Sequence, residues 1–301
     1  MGGKYPPSMG GYYPIYENFG EQDSRGMELV LTHKNRIGEG INALHYNVAL
    51  NLTYAYSRWI KYTDKADTPA YQCYAGQELG AMLGWVADGL YQSEEDIDNS
   101  PWPFDQRPRV GDIKYVDLSG DGVVGNEDKA FTGRSNRPKF TAGLNLSMSW
   151  RNFDFATLIT GASMFDVSLT GTYDNTIFTE TFKEGGNTPV YLAENAWRPD
   201  NPNGTYPRLT TKSPTNNNGL ASTFWFRDGK YLRVKSVQLG YTLTERACKR
   251  LGLSNVRVYV EGANLFTLSG LPEGIDPESP GVNNGYYPQQ KTFMGGVSVT
   301  F

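Results

Sequence analysis

Hydrophobic and polar residues alternate along several segments of this sequence. Between residues 44 and 56 every even-numbered position is aliphatic or aromatic, whereas every odd-numbered position is polar or alanine. A period of two places the apolar side chains on one face of a β-strand. The segment is longer than most strands of soluble sheets, and its length suits a tilted strand that crosses a lipid bilayer.

The same alternation returns further along the chain. Residues 139–150 form a second such segment, Arg151 and Asn152 turn the chain, and residues 153–159 begin a return strand. A two-residue connection between alternating segments predicts a tight hairpin. Aromatic residues gather at the strand ends, as they do in the interfacial girdles of membrane barrels. Three more strands are predicted near the end of the sequence, at residues 231–243, 256–266 and 292–301.

Two long polar stretches separate the predicted strands, at about residues 62–138 and 170–230, and both are rich in proline, asparagine, glycine and aspartate. Short turns therefore alternate with long loops, which is typical of outer-membrane barrels. We predict an all-β fold, an antiparallel transmembrane β-barrel with long extracellular loops, to which this chain contributes roughly ten strands. The alternative, a soluble β-sandwich or jelly roll with insertions, predicts shorter strands and no aromatic girdle.

Composition and charge narrow the possible functions. The sequence has no apolar run near 18 residues and a mean hydropathy of −0.51, which excludes helical membrane spans but not barrel strands. A net charge of −4 without a Lys/Arg block lacks the electrostatic footprint of a nucleic-acid partner. The first residues lack an apolar signal-peptide stretch, so we expect either a cytosolic protein or an interior piece of a longer precursor.

One local motif suggests a metal. Residues 117–128 follow the ligand spacing of a calcium loop, and Gly122 permits its sharp turn. Asp128 stands where a longer glutamate usually binds through both oxygens, and no helices clearly flank the loop. We predict a structural Ca²⁺ that stiffens an outer loop, and the alternative is a turn that binds no metal. The predicted ligands are three side chains, one carbonyl and a final carboxylate, in the order Asp117, Ser119, Asp121, Val123 and Asp128.

No set of residues predicts catalysis. His33 and His45 lack metal-ligand spacing, and the carboxylates between Glu94 and Asp98 lie in a polar loop where a solvated surface is expected. We therefore predict that the chain is not an enzyme; a glycoside hydrolase would need paired carboxylates in a cleft. Loop aromatics either contact a ligand or partner or pack against one another, and they are Trp197, Tyr206, Trp225, Tyr286 and Tyr287.

Several segments, taken in order, resemble those of SusC-like, TonB-linked (TonB-dependent) outer-membrane nutrient transporters, and the resemblance covers most of the chain. Each segment is weakly specific, whereas their order and spacing are specific. The segments are RGMELVL (25–31), GDIKYVDLSGDGVVGNED (111–128), PKFTAGLNLSMSW (138–150), NFDFATLITGA (152–162), AWRPDNPNGTYPRL (196–209), YLRVKSVQLGYTL (231–243), VRVYVEGANLFTLSG (256–270) and YYPQQKTFMGGVSVTF (286–301).

The resemblance implies a barrel of about 22 strands around an N-terminal plug. Residues 1–301 would then be the C-terminal portion of the barrel, with the plug, the TonB-contacting segment and the signal peptide absent. It also implies an outer-membrane location in a Gram-negative, Bacteroidetes-type bacterium, among outer-membrane lipid. The family imports oligosaccharides, peptides or other large nutrients with a SusD-like surface lipoprotein, and contacts the TonB complex through the missing N-terminal part. The competing hypothesis is a secreted or surface β-protein that binds carbohydrate through its aromatic loops.

Overall fold

The computed structural model describes residues 18–169, 190–209, 218–272, 274–279 and 289–301, together with the backbone of 2–3 and 15–16. Within these residues no helix is long and apolar enough to cross a membrane. The strands are β1 (Gly2–Gly3), β2 (Ile15–Tyr16), β3 (Glu21–Ile37), β4 (Leu44–Lys61), β5 (Met82–Trp85), β6 (Ala87–Leu90), β7 (Trp102–Pro103), β8 (Ile113–Tyr115), β9 (Val123–Val124), β10 (Lys129–Gly133), β11 (Phe140–Trp150), β12 (Phe153–Ser163), β13 (Asp166–Ser168), β14 (Phe226–Asp228), β15 (Tyr231–Thr242), β16 (Asn255–Ser269) and β17 (Thr292–Thr300). The α-helices are α1 (Glu94–Asp98), α2 (Val190–Asn195) and α3 (Glu245–Arg250).

Seven long strands form the main sheet. Their order is β17-β16-β15-β12-β11-β4-β3, and every neighbouring pair is antiparallel. Each strand therefore pairs with the next long strand in the chain, which is an up-and-down meander. The alternating segments predicted from the sequence are confirmed as strands. The sheet has seven strands within the described residues, fewer than the ten expected, because the long loops form small sheets of their own.

The register gathers the apolar side chains on one face of the sheet. Leu50 lies opposite Leu31 on one side and Leu144 on the other, and Leu144 lies opposite Ile159. Residues one position away, such as Asn51, belong to the other face. Large apolar side chains on the sheet are exposed, among them Phe293 at 78% and Met27 at 71%. A broad exposed apolar surface is unfavourable in water but suits contact with lipid.

Connections differ in length at the two ends of the sheet. Short connections join β3 to β4, β11 to β12, and β15 to β16, and the last of them contains α3. Long connections join β4 to β11 (62–139), β12 to β15 (164–230), and β16 to β17 (270–291). We call these the short-turn end and the long-loop end. This arrangement confirms the alternation of short turns and long loops seen in the sequence.

The long loops are folded and hold much of the buried core. Within them β10 pairs with β5, β8 with β6 and β14 with β13, all antiparallel, while β9 pairs with β7 in parallel. An isolated bridge between Trp85 and Ser222 joins the first loop to the second. The large fully buried side chains of this core include Ile113, Tyr115, Val124, Leu192 and Trp225. The apolar residues that drive folding in water thus lie at one end of the sheet.

Candidate functional site

The predicted calcium loop is a tight turn organised by Asp117. The Asp117 Oδ1 atom accepts hydrogen bonds from the Gly120 N–H (2.6 Å) and the Ser119 hydroxyl (3.1 Å), and Oδ2 accepts one from the Gly122 N–H (2.8 Å). Gly120 and Gly122 have φ angles of 77° and 90°, a region that favours glycine. Desolvation opposes ionisation of Asp117, but the hydrogen bonds from Gly122, Gly120 and Ser119 outweigh it and lower its pKa.

Asp128 closes the same loop from the inside. Its side chain is fully buried, and its carboxylate accepts hydrogen bonds from three backbone N–H groups: Leu118 (2.8 Å), Ser119 (2.7 Å) and Gly125 (2.6 Å). The Trp85 indole donates to the Gly125 carbonyl at 2.8 Å, which ties the loop to the buried core. Hydrogen bonds to a carboxylate are stronger than neutral ones. Asp128 therefore fixes the loop conformation.

The predicted ligands are only partly brought together. Asp117 and Ser119 are hydrogen-bonded in the turn, the Asp121 carboxylate accepts from the Val123 N–H (2.9 Å), and Val123 itself begins β9. The Asp128 carboxylate serves the backbone as described above. Within the described part of the chain, no group of three or more His, Cys, Asp or Glu side chains could hold a metal. A Ca²⁺ ion here stays a prediction.

Three carboxylates of α1 form ion pairs with basic side chains. Arg107 pairs with Glu94 and Asp98, and Lys114 pairs with Asp96 at 2.8 Å. The hydrogen bond from Lys114 is the main cause of the lowered pKa of Asp96. These pairs join α1 to residues 107 and 114 of the same long loop, so the paired carboxylates have a structural role.

Two of the loop aromatics, Tyr206 and Trp225, pack against each other. Trp225 is 2% exposed, and its indole donates to the Asn218 carbonyl at 2.7 Å. The Tyr206 ring centroid lies 6.3 Å from that of Trp225. Trp197 covers Gly111 so closely that a Cβ there would lie 2.4 Å from the indole. Packing between aromatics thus describes Tyr206 and Trp225, while Trp197 packs on a glycine. Tyr286 and Tyr287 lie outside the described residues.

A buried polar network joins the first long loop to the second. The Asp112 carboxylate, which is 5% exposed, accepts from the Arg208 Nε (2.7 Å), the Asn218 Nδ2 (2.9 Å) and the Arg109 N–H (2.8 Å). Removing one partner of such a network would leave a buried charge without compensation. This network could not be predicted from the sequence, because Asp112 and Asn218 are 106 positions apart.

A second network anchors the third long loop to the sheet. Arg233 on β15 is 3% exposed and donates to Asp276 (2.7 Å), Glu278 (2.7 Å) and the hydroxyl of Thr267 (2.9 Å). The two carboxylates belong to residues 274–279. This cluster could not be predicted from the sequence either, since its residues are polar positions of a strand and a loop that share no motif.

A cleft of about 620 Å³ lies where the three long loops meet. Its lining includes Asn136 from the first loop, Phe165 and Ser168 from the second, and Pro277 and Glu278 from the third. A concave surface with both apolar and polar groups is the usual form of a ligand site. This cleft and the surrounding loops are the candidate binding region.

These features define a class of protein: the chain has the fold of part of an antiparallel transmembrane β-barrel with elaborate loops at one end. No family model matches the chain. Solved structures show the same fold. The chain matches the structure of the RagAB peptide transporter with a TM-score of 0.67 at 19% sequence identity, and the match covers 99% of this chain and 31% of the transporter chain. The RagAB peptide importer in its open-open state gives a TM-score of 0.68 at 18% identity, covering 100% and 31%.

The curated relatives are TonB-dependent receptors. Receptor P3 of Formosa agariphila is 26% identical over 98% of this chain and 30% of its own length. Receptor P26 of the same bacterium is 29% identical over 75% of this chain and 23% of its own length. SusC of Bacteroides thetaiotaomicron is 22% identical over 95% and 27%. The resemblance to SusC-like TonB-dependent receptors is therefore confirmed, and the chain spans less than a third of the length of these relatives.

Proposed function

We propose that this chain forms part of the barrel wall and outer loops of a TonB-dependent importer in the outer membrane of a Gram-negative, Bacteroidetes-type bacterium. The importer takes up large nutrients, either oligosaccharides or peptides. A SusD-like surface lipoprotein closes over its outer mouth, and the TonB complex acts through a part of the protein that precedes this chain.

The observation that carries the proposal is the distribution of apolar residues. The main sheet exposes rows of large apolar side chains such as Met27 and Phe293, while Trp225 and the other fully buried aromatic side chains lie in the long loops. A soluble sheet would bury that face against a second layer. A barrel wall turns it toward lipid and keeps its folded loops in water.

The sheet edges support a larger barrel. Within the described residues β3 pairs only with β4, and β17 pairs only with β16. Unpaired backbone groups at an edge are very unfavourable in a bilayer, so both edges need further strands. We assign those strands to parts of the protein outside this chain, because the chain covers only 30% of the length of one relative.

The long loops suit the capture of large cargo. They are folded, and hydrogen bonds and ion pairs hold them in place. Asp112 joins the first loop to the second, and Arg233 on β15 holds the third loop to the sheet, so the loops form a stable surface. The cleft between them is lined by the partly exposed ring of Tyr231, which suits stacking, and by the exposed amide of Asn136, which suits hydrogen bonding. Aromatic and amide groups recognise sugar rings and peptide backbones alike. The proposal therefore includes both oligosaccharides and peptides as cargo.

The proposal is tested in the source bacterium with an affinity tag on the intact protein. We expect the protein in the outer-membrane fraction at roughly three times the 33.5 kDa of this chain, since the chain covers 30% of one relative. A surface lipoprotein should co-purify in near-equal amount. Deletion of the gene should abolish uptake of one class of labelled oligosaccharide or peptide, and the intact gene should restore it.

Two results would contradict the proposal. A soluble protein of 33.5 kDa would remove the membrane assignment. A membrane protein that co-purifies without any lipoprotein, and whose deletion leaves uptake of both cargo classes unchanged, would remove the transport assignment.

A further inference from the structure

The short-turn end of the sheet combines exposed aromatic rings with basic side chains. Trp150, Phe153 and Tyr241 end their strands there with 44%, 47% and 36% of their surface exposed. The rings of Phe153 and Tyr241 are in contact, with centroids 4.8 Å apart. All three belong to the apolar face, where they continue the rows set by the register. Rings in this position suit the depth of lipid headgroups.

Arg151 extends this aromatic belt with a positive charge. Its guanidinium lies 4.8 Å from the centroid of the Trp150 ring, and its Nε donates to the Asn42 side chain at 2.8 Å. Among the described residues no carboxylate pairs with it. The hydrogen bond and the ring hold the charge beside the headgroup layer.

Helix α3 adds two further charges at the same end of the sheet. The Asn152 and Thr242 backbones and the Asn152 side chain are hydrogen-bonded, so the tight turn and the start of the α3 connection lie side by side. Arg246 and Arg250 are one helical turn apart and exposed, on the side of α3 opposite buried Cys248. Within the described part of the chain neither has an ion pair.

The charge of this end is opposite to that of the chain as a whole. The short connections carry four basic residues against two acidic ones, Glu39 and Glu245, whereas the chain has a net charge of −4. Glu245 is already paired with Lys249 at 2.6 Å. The basic residues without a carboxylate partner are Arg151, Arg246 and Arg250.

From these contacts we infer that the short-turn end binds the headgroup of an anionic phospholipid. The guanidinium groups of Arg151, Arg246 and Arg250 contact the phosphate oxygens, and the acyl chains lie along Phe153 and Tyr241. Guanidinium groups match phosphate geometry and remain charged at all relevant pH values. The inference rests on the proposed function for its membrane placement, in which short turns face the periplasmic leaflet.

The test uses the intact protein in nanodiscs made from equal amounts of phosphatidylethanolamine and phosphatidylglycerol. After transfer to detergent, native mass spectrometry compares the two lipids that stay bound. We expect the unmodified protein to retain phosphatidylglycerol preferentially. The double variant Arg246→Gln/Arg250→Gln should bind it about 30-fold more weakly, because each basic residue at an anionic surface contributes about 1 kcal/mol and 1.4 kcal/mol is tenfold.

Two matched variants make the result specific. Lys65→Gln/Lys291→Gln removes the same charge from exposed positions at the long-loop end and should leave the preference unchanged. Arg246→Lys/Arg250→Lys keeps the charge and should retain most of it. Equal retention of both lipids by the unmodified protein, or an equal loss in both glutamine variants, would overturn the inference alone. Failure of the unmodified protein to enter nanodiscs would overturn the proposed function as well.

Discussion

Replacing Asp128 by asparagine is expected to loosen the loop of residues 117–128 without disturbing the sheet. The buried carboxylate accepts three backbone N–H groups, two on Oδ1 and one, from Gly125, on Oδ2. In the variant an amide NH₂ faces the Gly125 N–H, so this N–H loses its hydrogen-bond acceptor. The hydrogen bonds from the Leu118 and Ser119 N–H groups remain, but their acceptor is no longer charged. Such bonds contribute about 1.5–3 kcal/mol each, and a buried unsatisfied donor costs a similar amount.

A local loss of about 3 kcal/mol corresponds to hydrogen exchange roughly 100-fold faster at the affected amides. Mass-spectrometric exchange on the intact protein would compare peptides that cover 117–128 with peptides from β11 and β12. Asp121→Asn is the matched control, because the exposed Asp121 carboxylate accepts one backbone hydrogen bond, from the Val123 N–H at 2.9 Å. Equal exchange in the two variants would refute the structural role assigned to Asp128.

Three further outcomes follow from the same contacts. Arg233→Met should release residues 274–279, seen as faster proteolysis there, because it leaves the carboxylates of Asp276 and Glu278 without their buried cation; unchanged cleavage would contradict the anchor. The pKa of Asp117 is below its ordinary value of 3.8, so its ionised form stabilises the turn above that pH. Opening of the turn, measured as amide exchange relative to the intrinsic exchange rate at each pH, should increase as the pH falls through the lowered pKa, but not in Asp117→Asn. If the loop binds Ca²⁺, Tb³⁺ added to the intact protein should give luminescence sensitised by Trp85, whose indole contacts the loop, and Ca²⁺ should displace it; no signal would favour the metal-free turn.

The strands of the sheet could be predicted because their pattern is local. Alternation in residues 44–56 located β4, but the strand continues to Lys61, past the apolar rows. The next even-numbered residue after Tyr56 is Arg58, which breaks the apolar alternation and pairs with Asp23 on β3. The hydrogen bonds between β3 and β4 therefore continue past the point where the apolar pattern ends. Strand β3 itself was indicated only by the family resemblance.

The folded loops could not be predicted, because their contacts are distant in sequence. Ile113 and Trp225 share one core although they are 112 positions apart and two strands of the main sheet, β11 and β12, lie between them in the chain. Neither residue lies in a periodic segment. The calcium pattern correctly marked a turn at Asp117 but gave no sign that Asp128 would face backbone N–H groups. The spacing of residues in a motif indicates which side chains can lie close together locally, whereas the burial of a side chain such as Asp128 depends on the whole fold.

The most direct test of the membrane-barrel account compares arginine at two adjacent positions of β4 in the intact protein. Leu50 lies in the middle of the apolar rows, and Asn51 is exposed on the opposite face. Arginine near the bilayer centre costs about 2–4 kcal/mol on the lipid face, while positions facing the lumen tolerate it. The measurement is the amount of folded protein in the outer membrane: the account predicts a marked loss for Leu50→Arg and none for Asn51→Arg. Equal amounts of the two variants would contradict it.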